Sequence, residues 1–296
     1  MNTRSGILLA LVTCLLASAP RTVAQEYSRN LQPYRITMNV TYVKNGSWEG
    51  KLDVYSRANP PGPEPTLFWI HGGPPTGGPT KDGQLTSFLP YLELGWNVIN
   101  IEPRQNGVTL APATLQNSLC AVRWAMHNAG RYSIDVNKLV MSGASSGSWF
   151  AVAAGLGVRP SGWSDVCPGP EEPKFAGVVN WYGNWDLTDV LQGPNAKDYA
   201  ADWVKGLPNQ LELARVMSPL PLRPGVPPVI SIHGDADPTV PYTQSVRLHE
   251  ALRSAGVPEK LVTISGGKHG GFPREENERA YKEVEAFLKV NGLTTR

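Results

Sequence analysis

The sequence predicts an α/β fold built on a mostly parallel, doubly wound sheet with helices on both faces. Three observations carry that expectation. Short, near-continuous apolar runs recur along the chain, at Thr66–His71 (TLFWIH), Asn97–Ile101, Lys138–Ser142, Ala176–Tyr182, Pro228–His233 and Leu261–Ile264. Runs without polar alternation suit strands buried on both faces, as in a parallel sheet. Between them lie stretches of helical periodicity, and strands that alternate with helices wind a sheet of this kind. Finally, 296 residues, 41% of them hydrophobic and 18% charged, suffice for one large core.

From the N-terminus, Arg4, the apolar run Ile7–Ala19 and the small residues around Thr22-Val23-Ala24 have the layout of a secretory signal peptide. The expectation is a leader of residues 1–24, a mature domain of residues 25–296, and a secreted or periplasmic location. No other stretch approaches the roughly 18 apolar residues of a membrane span, so a membrane-integral chain is excluded. Removing Arg4 and Arg21 from the 27 basic residues brings them level with the 25 acidic ones. A balanced chain without basic runs predicts neither nucleic acid nor membrane as a partner.

Ile36–Tyr42 and Lys51–Tyr55 read as antiparallel strands around an Asn45-Gly46 turn. Helical patterns occupy Ala113–Asn128, Ser146–Gly155, Thr243–Ala255 and Arg274–Asn291. Residues 184–224 break the alternation with a polar, helical insertion, read as a small cap over one end of the sheet. Residues 160–173 form a loop rich in Pro and Gly, in keeping with the 27 Pro and 30 Gly of the chain. Without the leader, Cys120 and Cys167 are an even pair in an oxidising compartment, which invites a disulfide. Two isolated cysteines and scattered histidines lack metal-ligand spacing, so no metal or organic cofactor is expected.

In a parallel α/β sheet, ligands collect at the carboxyl ends of the strands. The run ending at Ser142 leads into Gly143-Ala144-Ser145-Ser146-Gly147 and then a helix. Strand, G-x-S-x-G and helix make a tight turn that lifts Ser145 above the sheet, with glycines where a Cβ meets neighbouring backbone. A serine hydroxyl needs a base. His269, flanked by glycines in GGKHGG after the last strand, is the candidate, whereas His127 and His249 fall within helical patterns. The acid comes from HGDADPTVP, where Asp237 is preferred and Asp235 is read as turn-forming. Gly72 and Gly73, leaving the strand that ends at His71, are expected to donate N–H groups to an oxyanion together with the amide of Ser146. His71 is expected to brace that loop.

On these motifs the chain resembles the α/β-hydrolase superfamily, and within it the secreted bacterial serine esterases of the hormone-sensitive-lipase, dienelactone-hydrolase and prolyl-oligopeptidase-like groups. The resemblance spans about residues 35–292. It implies an oxyanion site at Gly72 and Gly73, a nucleophile at Ser145, an acid at Asp237 and a base at His269, in the chain order of those enzymes. HGGPP in place of H-G-G-G and GASSG in place of G-D-S-A-G depart from the hormone-sensitive-lipase pattern and leave the subfamily open.

The expected chemistry is hydrolysis of short-chain or aromatic acyl esters, on small molecules or polysaccharides, through an acyl-enzyme. Trp149, Trp181, Tyr182 and Trp185, past strand ends or on the helix behind Ser145, are expected to wall the substrate pocket, with Trp185 the foremost substrate contact. Three alternatives stand beside this: a prolyl-type serine peptidase, which usually carries a large extra N-terminal domain; a true lipase, which needs a broad apolar lid where this insertion is rich in Asp, Lys and Asn; and a non-catalytic ligand-binding protein, which typically lacks a triad member.

Overall fold

A computed structural model describes residues 33–73, 80–104, 111–167 and 169–294. The expected signal peptide lies outside these residues. The strands are β1 (Tyr34–Asn45), β2 (Trp48–Arg57), β3 (Glu64–Ile70), β4 (Asn97–Glu102), β5 (Ile134–Ala144), β6 (Gly177–Trp181), β7 (Val229–Gly234) and β8 (Glu259–Ile264). They form one sheet in the order β1-β2-β4-β3-β5-β6-β7-β8. The β1–β2 hairpin closes with Asn45 opposite Trp48 around Gly46, and β2 is also antiparallel to β4. Every other pairing is parallel. The expected mostly parallel sheet is the observed one.

The apolar runs lie where burial is two-sided: all residues of β3, β6 and β7 are buried. The edge strand β8 is only partly covered, and the other edge, β1, is interrupted by register shifts. Such irregularity discourages a second sheet from pairing there.

The described helices are α1 (Leu85–Glu93), α2 (Ala111–His127), α3 (Ala129–Tyr132), α4 (Ser146–Gly155), α5 (Leu187–Gln192), α6 (Asp198–Asp202), α7 (Gln210–Val216), α8 (Thr243–Ser254) and α9 (Arg274–Val290). Helix α4 is buried at all ten residues. Beyond Ser148 it is apolar on every side, as suits a helix enclosed by other elements. Residues 184–224 carry α5, α6 and α7, and Trp203 of this segment packs edge-on against Trp149 and Phe150 of α4.

A chain of buried polar groups crosses the sheet toward the start of α4. Asn180 donates to Ser231 Oγ (2.9 Å), leaving the Ser231 hydroxyl hydrogen for His249 Nε2 at 2.7 Å. The opposite ring nitrogen, His249 Nδ1, faces Glu259 at 2.6 Å. At the other end Ser148 donates to Asn180 Oδ1 (2.6 Å) and accepts from the Trp181 amide (3.0 Å). Each member is satisfied, the condition under which a buried polar network is tolerated. Burial drives the His249 pKa down by disfavouring the imidazolium, more strongly than Glu259 raises it.

Cys120 of α2 is bonded to Cys167. The same loop is held by Arg123 and Arg159, whose guanidinium groups approach the Trp163 ring at 4.2 and 5.5 Å.

Two stability outcomes are expected. The disulfide joins residues 47 apart, which corresponds to about 4 kcal/mol of loop-closure entropy. Cys120→Ala/Cys167→Ala should therefore unfold at clearly lower urea than the oxidised parent; an unchanged midpoint removes the bridge from the stability of the fold. For His249 the folded pKa lies below the unfolded one, so its contribution is complete above about 6.5 and is lost as pH falls below that value. Urea titrations between pH 7.5 and 5 should show stability decreasing toward acid, with a shallower slope in His249→Gln. Equal slopes in the two proteins would remove His249 as the source.

Candidate active site

β5 ends at Ala144 and α4 begins at Ser146, so the entire reversal falls on Ser145. Its backbone sits at φ 55°, ψ −124°, a region that costs a non-glycine residue about 1–3 kcal/mol and persists only where the surroundings impose it. They do so here. The Ser145 amide donates to the Trp181 carbonyl of β6 at 3.0 Å, and the Ser145 carbonyl accepts from Trp149 at 3.1 Å. The flanking glycines have a steric reason. A Cβ on Gly143 would lie 2.5 Å from the Ile70 carbonyl oxygen, and one on Gly147 only 2.2 Å from the same atom.

The structure brings Ser145, His269 and Asp237 together. His269 Nε2 lies 2.8 Å from Ser145 Oγ, and Nδ1 lies 2.7 Å from Asp237 Oδ2. With its Nδ1 hydrogen on the carboxylate, the neutral ring presents Nε2 as an acceptor for the serine hydroxyl. The Asp237 side chain is wholly enclosed. Oδ1 accepts from the amides of Thr239 (2.8 Å) and Val240 (3.0 Å), and Oδ2 is shared with His233 Nε2 at 3.2 Å. Burial alone raises this carboxyl. Hydrogen bonds from His233, His269 and the Thr239 amide outweigh it and hold Asp237 well below the usual carboxylate range.

The neighbouring Asp235 is exposed and accepts from the Gly266 amide at 2.7 Å, tying two loops together. His127 lies on the surface, and His249 belongs to the buried polar chain. His71 is buried, with Nδ1 2.9 Å from the Gly72 carbonyl and Nε2 3.4 Å from Glu102.

The three expected oxyanion donors do not stand alike. Gly73 donates its amide to Ser146 Oγ at 3.0 Å, and the same hydroxyl donates back to the Gly73 carbonyl at 2.6 Å. The Gly73 N–H is therefore engaged within the protein, a correction to its reading as a free donor. Gly72 lies against the elbow: a Cβ there would be 2.7 Å from the Ala144 carbonyl oxygen and 3.0 Å from Ser145 Cβ. Gly72, Gly73 and Ser146 all border the cavity that contains Ser145.

That cavity has a volume of about 510 Å³ and takes its aromatic wall from Tyr182, Tyr199 and Trp203, with Asn184 beside them. The tryptophans expected to form it lie elsewhere. Trp149 is buried on α4, with Phe150 at 4.7 Å. Trp181 turns toward Tyr281 of α9, also at 4.7 Å. Trp185 packs with Val152, Leu248 and Leu252 in the core. Of the expected wall residues, Tyr182 is the one the cavity keeps: β6 ends at Trp181, and Tyr182, past the strand end at φ 43°, meets His269 edge-on at 5.0 Å. Tyr199 and Trp203 stand four apart in DYAADWV, one helical turn of the insertion. That spacing puts two aromatics on one face and was the available signal.

Among the described residues no cluster of His, Cys, Asp or Glu is arranged to hold a metal ion, and no helix is long and apolar enough to cross a membrane.

The chain is 26% identical over 268 residues to Esterase LipQ of Mycobacterium tuberculosis, covering 87% of this chain and 62% of LipQ. It thus spans less than two thirds of that relative's own length. Among solved structures it is similar to a bifunctional GH43-CE of Bacteroides eggerthii, with TM-score 0.75, 26% identity, and coverage of 86% of this chain and 38% of the other. It is also similar to the propionate-bound esterase Est2 of Thermogutta terrifontis, with TM-score 0.72, 22% identity, and coverage of 91% and 98%. These likenesses agree with the sheet order in showing the α/β-hydrolase fold. The BD-FAE family model matches residues 52–252, which contain the elbow, the cap segment and Asp237, and the chain belongs to the BD-FAE family within the α/β-hydrolase superfamily.

Proposed function

We propose that the protein is a carboxylic-ester hydrolase that works through an acyl-enzyme. The observation that carries this reading is the unbroken relay from Ser145 Oγ through His269 to Asp237 Oδ2, with links of 2.8 and 2.7 Å, at the edge of an aromatic-walled cavity. Ser145 Oγ attacks the ester carbonyl as His269 Nε2 takes its proton. Asp237, ionised and enclosed, holds the Nδ1 hydrogen and stabilises the imidazolium. The amides of Gly72 and Ser146 receive the oxyanion, with Gly73 held beside them by the Ser146 hydroxyl. His269 then returns its proton to the leaving alcohol and deprotonates the water that releases the acid.

Tyr182, Tyr199 and Trp203 suit a short or aromatic acyl group, and the open side of the cavity suits an alcohol carried on a small molecule or a polysaccharide. The esterase name of LipQ and the carbohydrate-esterase part of the Bacteroides protein's title support the reaction class. Export after residue 24 completes the proposal.

The test is the initial rate on p-nitrophenyl esters from acetate to dodecanoate. Ser145→Ala should lower kcat by about 10⁶, and Asp237→Asn by about 10⁴, while Asp235→Asn stays within a few-fold of the parent. Tyr199→Ala should raise KM for aromatic acyl esters more than for acetate. Cleavage of prolyl peptides without ester turnover would replace this reading with the peptidase, and turnover that survives Ser145→Ala would place the nucleophile elsewhere.

A further inference from the structure

HGDADPTVP contains a histidine to which the relay gives no role. His233 is the penultimate residue of β7, with no exposed side-chain surface. Its Nε2 lies 3.2 Å from Asp237 Oδ2 and 3.1 Å from the Val240 carbonyl oxygen. A carbonyl oxygen only accepts, so Nε2 carries a hydrogen and shares it between the two. Nδ1 lies 2.7 Å from the Ser245 hydroxyl of α8, which supplies its own hydrogen. Both ring nitrogens are thereby satisfied in a neutral imidazole. The edge-to-face contact with Tyr242, at 5.7 Å between centroids, fixes the ring plane.

We propose that His233 is a positioning residue for the ester-hydrolase reading above, on which this inference rests. Its Nε2–H grips the same carboxylate oxygen that orients His269, so two imidazoles share Asp237 Oδ2. The reason lies in where the two rings are mounted. His269 sits on a loop in which Gly266, Gly270 and Gly271 all have positive φ, tied to the segment after β7 by the Ala236 amide on the Gly267 carbonyl at 3.1 Å and by the Gly266 amide on Asp235 at 2.7 Å. His233 sits on an interior strand, paired on both sides. With Oδ1 tied to Thr239 and Val240 and Oδ2 tied to His233, the carboxylate cannot rotate. The His269 loop then inherits its alignment with Ser145 from β7. Positioning of this kind acts on turnover rather than on substrate affinity.

The experiment compares His233→Gln with His233→Asn in the full chain, on p-nitrophenyl acetate, alongside the parent and Ser145→Ala. The glutamine amide reaches the position of Nε2 and keeps a donor on Asp237, so kcat should stay within about three-fold of the parent. Asparagine meets Ser245 but stops short of Asp237. It should lose about ten- to a hundred-fold in kcat with KM within about two-fold, as for a charge-assisted hydrogen bond removed from a buried carboxylate. Parent-like turnover in His233→Asn, or an equal loss in both variants, overturns the proposal. Long-range ¹H–¹⁵N NMR of the unaltered protein tests it without any variant: His233 should carry a hydrogen on Nε2, and a ring protonated on Nδ1 alone overturns it. A parent no faster than Ser145→Ala would overturn the esterase reading itself, whereas an active parent with an active His233→Asn overturns this inference alone.

Discussion

The site depends on one close backbone approach, the ends of β3 and β5 pressed together beneath Ser145. A Cβ on Gly143 or Gly147 would fall within 2.5 Å of the Ile70 carbonyl oxygen, so the turn closes only because both positions lack one. The closure forces Ser145 into an unfavourable backbone conformation. It also brings Gly72 against Ala144 and lets the Ser146 hydroxyl clasp the Gly73 peptide. Ser145 and the Gly72-Gly73 loop are thus parts of a single steric arrangement. The strain at Ser145 is offset by the buried α4 and by the hydrogen bond to Trp181.

Electrostatics at the other half of the relay follow from enclosure. A carboxylate removed from water is costly unless its lone pairs are occupied. Asp237 meets that condition with two amides on Oδ1 and two imidazoles on Oδ2. In a low-dielectric setting these bonds keep the charge in place and direct it at His269. A parallel solution lies deeper in the sheet, where the polar chain from Glu259 through His249, Ser231 and Asn180 to Ser148 satisfies buried groups and ends on the Trp181 amide. The Trp181 carbonyl, on the same strand end, receives the amide of Ser145.

The cap segment joins the two halves. Trp203 packs on α4 through Trp149 and Phe150, and its carbonyl accepts from the first amide of α2 at 3.0 Å. The wall of the cavity is therefore anchored in the core, and its shape follows from the packing of the insertion onto α4.

Much of this was legible in the sequence. Apolar runs without alternation meant buried parallel strands, glycines around Ser145 meant a crowded turn, and the order Ser145, Asp237, His269 placed three chemically complementary groups at strand ends. Those features are local, because burial on two faces and tight turns restrict which residues can stand there. What the sequence left open was orientation. The packing of Trp181 on Tyr281 and of Tyr182 on His269, and the folding of Tyr199 and Trp203 onto the cavity, arise from contacts between residues far apart in the chain. So does the engagement of the Gly73 amide by Ser146, 73 residues on, since a hydrogen bond over such a separation exists only once the backbones that carry its partners have been packed side by side; the second imidazole on Asp237, His233, stands only four residues away, and the geometry of the turn between them brings it to the carboxylate.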